Sequence, residues 1–303
     1  MDLQHAFALA LKITIFAILF GTGLATTGGD LAYLRRRPRL LLGSLLALVI
    51  IAPLVAVALW RVLPMGPAAA IAIIAGALAP GIPMVPEKVR KAGGDVGFAR
   101  ALMVITSALA VITIPLWLEI LRSVAGIDTG VPPLTIVRML ALSLLVPLGA
   151  GMLIRRLAPT FADRIARPID AASATLLPGL ALVVVIVGAS AILELPGAAL
   201  LAMVLSPAIA LAVGHLLGGP DPRDRTVLAI ANAGRFPALA MLIAAAGFPQ
   251  VRALPAVIAY LLISTLVALP YVLWRRRAHR PRAGDHGSAR GMAPGATAIL
   301  EPR

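Results

Sequence analysis

Several residue types and motifs that carry chemistry in other proteins are missing from this chain. It has no cysteine, which excludes disulfides, thiolate metal sites and cysteine nucleophiles. No G-x-x-x-x-G-K-[ST] loop occurs, which excludes ATP-driven transport by this chain alone. The sequence also lacks a histidine-rich zinc spacing, a Ser/His/Asp set and a pair of intramembrane aspartates. An enzyme is therefore not expected.

Charged residues are also scarce, and apolar residues take their place. Charged residues make up 13% of the 303 positions and hydrophobic residues 60%, against about 25% and about 45–50% in soluble domains. Apolar runs long enough to cross a bilayer recur along nearly the whole chain. The predicted fold class is an all-α polytopic membrane protein with nine transmembrane helices. The expected spans, numbered one to nine, are 6–26, 40–62, 67–91, 96–122, 134–155, 172–195, 198–217, 226–248 and 253–274.

Positive charge alternates between the loops that join these spans. Lysine and arginine cluster after spans one, three, five, seven and nine, as in YLRRRPR and WRRRAHRPR. This pattern predicts an outer N-terminus and a cytoplasmic C-terminus in the cytoplasmic (inner) membrane. It also accounts for the net charge of +14 without nucleic acid as a partner. The arginines are expected to set topology and contact membrane lipid, with a specific ligand role as the alternative.

Proline and glycine positions repeat within the predicted transmembrane domain, residues 1–274. Separations of 153 to 155 residues join Pro53 to Pro207, Gly81 to Gly234, Pro83 to Pro237, and Pro115 to Pro270. The offset of five spans is odd, which predicts two inverted repeats, about 1–125 and about 130–274. The first repeat then lacks one helix, as in a ten-helix fold without its first helix. Residues 275–303 lack periodicity and are expected to form a disordered basic cytoplasmic tail.

Spans three and eight are equivalent in this repeat, and PGIP and GRFP interrupt them. An interrupted helix leaves backbone groups unpaired, which a membrane tolerates where those groups line a cavity or are buried in protein. Half-helix N-termini at such a place suit an anion. We therefore predict discontinuous helices three and eight, with ordinary proline kinks as the alternative. The expected substrate-binding or coupling residues are Gly81, Ile82, Pro83, Glu87, Asn232, Gly234, Arg235, Phe236 and Pro237.

Arg235 lies near the middle of span eight, where a permanent charge is energetically costly. Three roles stay open: a strut on half-helix carbonyls, a bidentate contact with an anionic substrate, or a pair with an acid such as Glu87. Glu87 is expected either on a solvated face or in a cytoplasmic gate. Asn232 is expected either in the cavity wall or as a helix cap. Asp95 is expected to cap span four, and His215 is a weak candidate for proton coupling.

Long stretches of the chain resemble the bile acid:sodium symporter family. They include FGTGLATTGGDLAYLRRRPRLLLGSLLA, APGIPMVPEKVRKAGGDVGFARALMVITSALAVITIPL and RTVLAIANAGRFPALAMLIAA. The resemblance runs from span one to span nine, and nine-helix members look similar. It implies two inverted five-helix repeats, a core domain with crossed discontinuous helices, and a panel domain. It also implies sodium-coupled uptake of organic anions.

The sodium-ligand positions of that family carry different residues here. Val85 and Pro86 stand where the family has Ser-Asn at the first break. In the second broken helix, Ile230 or Ala231 matches the family's Glu, and the region 234–236 matches its Gln-Asn. Leu48 matches a Gln of some members, and two positions that carry hydroxyl side chains in the family are Ala99 and Met103 here. Hard cations prefer several oxygen ligands, which these side chains do not supply. No metal site with side-chain ligands is therefore predicted, and backbone carbonyls remain the alternative.

The expected function is a secondary transporter that moves a small organic anion by alternating access. The protein is expected as a monomer or homodimer in membrane lipid, without a bound cofactor. Coupling to sodium through backbone carbonyls, to protons or to nothing stays open. In the last two cases the fixed guanidinium of Arg235 replaces the coupling cation. A non-transporting membrane sensor is the competing class.

Overall fold

The computed structural model describes residues 13, 16–81, 89–125, 131–166, 168, 189–248 and 250–279. Regular structure in this part of the chain is helical, apart from one isolated antiparallel bridge. Short helical stretches occur at 159–166 and 189–193. The main helices are α1 Phe16–Ala25, α2 Gly28–Arg35, α3 Pro38–Val62, α4 Pro67–Leu78, α5 Val96–Ala125, α6 Pro133–Leu157, α7 Gly197–Leu217, α8 Pro222–Ala233, α9 Pro237–Gly247 and α10 Leu254–Ala278.

Five of these helices, α3, α5, α6, α7 and α10, are long and apolar enough to cross a membrane. Large apolar side chains on their outer faces are exposed, among them Leu42, Ile112, Leu142 and Leu266. A soluble monomer rarely leaves so much apolar surface uncovered, whereas lipid covers it. The helices α1, α4 and α9 are apolar but shorter. Most of predicted span six and the start of span one lie outside the described residues, so the count of nine stays a prediction.

Proline marks where many of these helices begin. Pro38, Pro67, Pro133, Pro222 and Pro237 each occupy the first position of a helix. That position suits proline, because its backbone nitrogen needs no hydrogen-bond partner and its φ angle is already helical. The sequence therefore specifies the starts of these helices locally.

The last helix extends further than the sequence predicts. It ends at Ala278, so the residues that follow 274 continue the helix for one more turn. Arg275 holds this turn to α8, because its side chain donates to the Thr226 hydroxyl at 2.7 Å and to the Pro222 carbonyl at 2.8 Å. Residues 275–278, which the sequence analysis assigned to a disordered tail, are therefore helical, and residues 280–303 lie outside the described residues.

The interrupted helices α4, α8 and α9 lie at the centre of the bundle. Every residue from Ala69 to Leu78 is buried, as is every residue from Thr226 to Ala233. Helices that are apolar on all sides are typical of such buried positions. Glycines bring neighbouring backbones close: a Cβ at Gly214 would lie 2.6 Å from the Leu228 carbonyl oxygen. Helices α3, α5, α7 and α10 surround this centre.

Candidate functional site

Two helix interruptions meet at the centre of the bundle. Helix α4 ends at Leu78, and α8 ends at Ala233, with three residues between it and the start of α9 at Pro237. The extended stretches 79–81 and 234–236 pair as an antiparallel bridge between Gly81 and Arg235. The Phe236 N–H also donates to the Pro80 carbonyl at 2.9 Å. We call this pairing the crossover.

Proline keeps the residue before it extended at both interruptions. Ala79 precedes Pro80 and has a ψ angle of 138°, and Phe236 precedes Pro237 and has a ψ angle of 107°. A residue that precedes proline is driven out of the α region by contact with the proline ring. The expected interruption of span eight is therefore seen as two helices. In span three the break follows Leu78, and the continuation of that span at 82–88 lies outside the described residues.

Arg235 is buried at the crossover with only 2% of its surface exposed. Its guanidinium donates to the Ala79 carbonyl at 3.1 Å and to Asn232 Oδ1 at 2.8 Å. Ala79 is the C-cap of α4, and Arg235 itself lies just past the end of α8. Each helix C-terminus carries about half a negative charge. One fixed cation thus faces two converging negative helix ends.

No carboxylate among the described residues pairs with Arg235. The guanidinium has five N–H groups, and the described residues accept hydrogen bonds from two of its nitrogen atoms. The strut contact expected from the sequence is thus present, and donors remain for a further acceptor. The alternative partner Glu87 lies outside the described residues, as do Ile82 and Pro83.

Asn232 connects Arg235 to a neighbouring helix. Its amide nitrogen donates to the Ala210 carbonyl of α7 at 2.7 Å, while its oxygen accepts from Arg235. The side chain is buried, and its contacts are neither a helix cap nor part of the cleft walls described below. Asn232 therefore orients the guanidinium and ties the crossover to α7.

Two small clefts flank the crossover, and both contact Leu48 and Thr106. The first, which we call the Trp117 cleft, encloses about 300 Å³ of empty space, part of it open to its surroundings. Its wall includes Val49, Pro53, Thr106, Thr113, Trp117 and Arg235. The second, the Leu102 cleft, encloses about 220 Å³. Its wall consists of Leu48, Gly81, Ala99, Leu102, Met103, Thr106 and Ala231.

The Leu102 cleft gathers positions that the family resemblance associates with sodium. Leu48, Ala99, Met103 and Ala231 all line it, and Ala231 rather than Ile230 faces the cleft. Their side chains are hydrocarbon or thioether and supply no oxygen. Among the described residues no group of three or more His, Asp or Glu side chains could hold a metal ion. The matching positions Val85 and Pro86 lie outside the described residues.

The Trp117 cleft has a polar wall that the sequence did not reveal. In a regular α-helix the Val49 carbonyl would accept a hydrogen bond from the backbone N–H of residue 53. Residue 53 is a proline and has no N–H, and the Val49 carbonyl accepts from Trp117 Nε1 at 2.8 Å instead. Helix α3 winds as a π-helix over Leu46–Ile51 just before this proline. Such turns are frequent at functional sites. The sequence shows a tryptophan late in span four and a proline in span two, but no pattern in it indicates that the two are in contact.

An ionic cluster lies at the other end of α8. Asp224 is 3% exposed and accepts from Tyr33 Oη at 2.8 Å and from Arg37 at 2.9 Å. Burial raises the pKa of the Asp224 carboxyl, while the hydrogen bond from Tyr33 opposes that rise. Burial and the contact with Asp224 raise the pKa of Tyr33. This cluster fastens α2 and Arg37, the N-cap residue of α3, to the start of α8.

Two weaker candidates are also located. Asp95 accepts from the Phe98 N–H at 2.7 Å, which confirms the predicted helix cap at the start of α5. His215 Nδ1 lies 2.8 Å from Tyr271 Oη, and the ring also packs beside Trp274. This histidine stands at the end of α7, away from both clefts.

Five membrane-length helices around a pair of interrupted helices define a polytopic α-helical membrane protein. A family model described as the Sodium Bile acid symporter family matches residues 12–195. This match covers more than half of the chain, and the chain belongs to that family. Members of the family are transporters and not enzymes. The match ends before α8, so the likeness of RTVLAIANAGRFPALAMLIAA lies beyond it. A search of curated proteins finds no match.

Proposed function

We propose that this protein is a secondary transporter that moves a small organic anion across the cytoplasmic membrane by alternating access. Nine spans in two inverted repeats would carry this function, with spans three and eight as the discontinuous pair. The antiparallel pairing of residues 79–81 with 234–236 supports this arrangement, because equivalent helices of inverted repeats cross in opposite directions. The buried Arg235, with no carboxylate partner in the described part of the chain, is the observation that carries the anion assignment.

The charge of Arg235 is proposed to stand where sodium-coupled relatives hold their ion. The C-termini of α4 and α8 together present about one negative charge, and one guanidinium balances it without an ion. The oxygen-poor wall of the Leu102 cleft supports the same view, because sodium would find few side-chain ligands there. Transport is therefore proposed to need no sodium gradient. Because the fixed charge stays with the protein, each cycle would carry the substrate's negative charge across the membrane.

Flux through reconstituted protein tests this proposal. The full chain is purified into proteoliposomes, and uptake of radiolabelled benzoate, lactate and taurocholate is followed. A sodium gradient, a pH gradient and a membrane potential are imposed one at a time. We expect uptake of at least one anion without sodium, accelerated by an inside-positive potential and unchanged by a sodium gradient.

Two variants give the matched comparison. Arg235→Gln removes the buried charge and should abolish uptake, whereas Arg252→Gln removes an exposed charge and should leave uptake unchanged. Uptake that requires a sodium gradient would contradict replacement of the ion by Arg235. Saturable binding without flux would favour a membrane sensor instead.

A further inference from the structure

The end of α1 receives hydrogen bonds from two arginines that lie on different helices. Arg100 of α5 donates to the Ala25 carbonyl at 2.7 Å. Arg155 of α6 donates to the Leu24 carbonyl. Arg100 also lies 3.5 Å from a carboxylate oxygen of Asp30 in α2. The last carbonyls of a helix lack partners within the helix and carry partial negative charge, so a guanidinium stabilises them.

Helices α1 and α6 form a closely packed pair. Gly23 and Gly151 face each other, and a Cβ on either glycine would overlap the backbone of the other helix. Small residues allow this close approach of two membrane helices. The hydrogen bond from Arg155 to Leu24 lies within this pair. The hydrogen bond from Arg100 instead joins the pair to α5.

The pair contacts α5 differently in its two halves. In one half, Leu144 of α6 belongs to the same buried apolar cluster as Val111 and Leu118 of α5. The other half of α6, 146–157, contributes no side chain to the buried apolar clusters that the described residues form. Arg100 lies at this second half, where α5 begins and α1 and α6 end. Water can replace its polar contacts at low cost, whereas opening the apolar half to water would expose hydrocarbon.

We infer that Arg100 is a latch that holds the α1–α6 pair against the start of α5 and keeps this end of the bundle closed. The inference rests on the proposed alternating access and identifies a contact that breaks when this end opens. The positive loops predict that this end faces the cytoplasm, so release of Arg100 favours an inward-open state. The side chains of Arg100 and Asp30 are 29% and 13% exposed, so salt in the surrounding water weakens the latch.

Cysteine labelling tests the latch, because the chain has no cysteine of its own. Ser107 lies two helical turns after Arg100 on the same face of α5 and is buried. Protein with the single substitution Ser107→Cys is reconstituted into proteoliposomes of known orientation, and a membrane-impermeant maleimide is added on one side at a time. We expect slow labelling from both sides. Val104→Cys, which is buried on the same face, is the second probe if the first variant fails to fold.

Two methionine substitutions separate the latch from the neighbouring arginine. Arg100→Met and Arg155→Met each keep a long side chain but remove one donor to the end of α1 and one ion pair. Only the first cuts the connection to α5. Cytoplasmic labelling of the Ser107→Cys protein should rise about tenfold with Arg100→Met, as expected for loss of a hydrogen bond from a charged group. With Arg155→Met it should stay unchanged.

Ionic strength gives a second readout that a merely structural contact would not move. Raising the salt concentration from about 0.05 M to about 0.5 M screens the pair between Arg100 and Asp30. Labelling of the Ser107→Cys protein should therefore become faster in high salt. The same change of salt should have no effect on labelling once Arg100→Met has removed the latch.

The outcomes distinguish the latch from the function on which it rests. Equal labelling rates with the two methionine substitutions, or faster labelling from the outer side alone, would overturn the latch and leave anion transport standing. Labelling that responds as expected in protein that takes up no anion would overturn the proposed transport and leave the latch in place. Thermal unfolding of each variant shows that the compared proteins are folded.

Discussion

Replacing Arg235 with lysine separates its charge from its geometry. The guanidinium reaches the Ala79 carbonyl and Asn232 Oδ1 from two different nitrogen atoms. Lysine keeps the positive charge but concentrates it on one strongly hydrated nitrogen without a planar fork. It therefore cannot hold both acceptors and also give an anion a bidentate contact. The half-helix ends would still face a cation, so this part of the electrostatic balance is preserved.

The size of the effect follows from the number of hydrogen bonds lost. A hydrogen bond to a charged group contributes about 1.5–3 kcal/mol, and about 1.4 kcal/mol corresponds to a factor of ten. Loss of one such bond to the substrate should lower the kcat/KM of uptake by about 10- to 100-fold in Arg235→Lys. The variant should fold, because only one of the two acceptors at the crossover loses its donor.

Arg235→Gln provides the opposite control. It removes the charge but can still donate one hydrogen bond, and it relieves the desolvation of a buried ion. We expect folding close to that of the parent protein and no anion uptake. Initial uptake rates at equal protein density and thermal unfolding in detergent give the two readouts. Uptake kinetics equal to those of the parent protein in Arg235→Lys would refute the bidentate contact. Uptake equal to that of the parent protein in Arg235→Gln would show that Arg235 has only a structural role, as a donor to the helix ends.

Three further predictions concern stability, each measured by thermal unfolding in detergent. Tyr33→Phe removes the donor to Asp224 and should destabilise the protein by about 1–3 kcal/mol at neutral pH. This loss of stability should shrink as the pH falls through the pKa of Asp224, because a protonated carboxyl needs the donor less. A loss that does not depend on pH would contradict a hydrogen bond from Tyr33 to an ionised Asp224. Gly151→Ala should destabilise by about 1–3 kcal/mol, since its Cβ would lie 2.3 Å from a backbone oxygen of α1. Gly149→Ala in the same helix meets nothing within 4 Å and should be neutral or stabilise by up to about 1 kcal/mol, because alanine favours a helix over glycine. Equal effects of the two substitutions would refute a tight α1–α6 contact. Asp95→Ala should lose about 1 kcal/mol with its helix cap, and Asp95→Asn should retain most of it.

Local sequence signals predicted the features that depend on neighbouring residues. Pro80 and Pro237 end or begin helices through contacts with the residue just before them, so the interruptions could be predicted. The cap by Asp95 is equally local. The regular apolar runs predicted five membrane-length helices to within a few residues at each end.

Features that join distant segments could not be predicted in the same way. Arg235 and its acceptor Ala79 are 156 residues apart, and Tyr33 and Asp224 are 191 apart. A sequence pattern indicates that a buried arginine needs hydrogen-bond acceptors, but it does not show which helix end supplies them. Asp224 illustrates the difficulty, because PDPRDR carries the charges of an ordinary cytoplasmic loop. Its burial arises only when Tyr33 and Arg37 close over it.

Helix α8 connects the two polar places in this apolar bundle. Asp224 is the only buried carboxylate and Arg235 the only buried basic side chain among the described residues, and roughly 16 Å along the chain direction of α8 separates them. The acid lies at the positive end of the helix and the arginine at the negative end, so each charge is stabilised by the helix dipole.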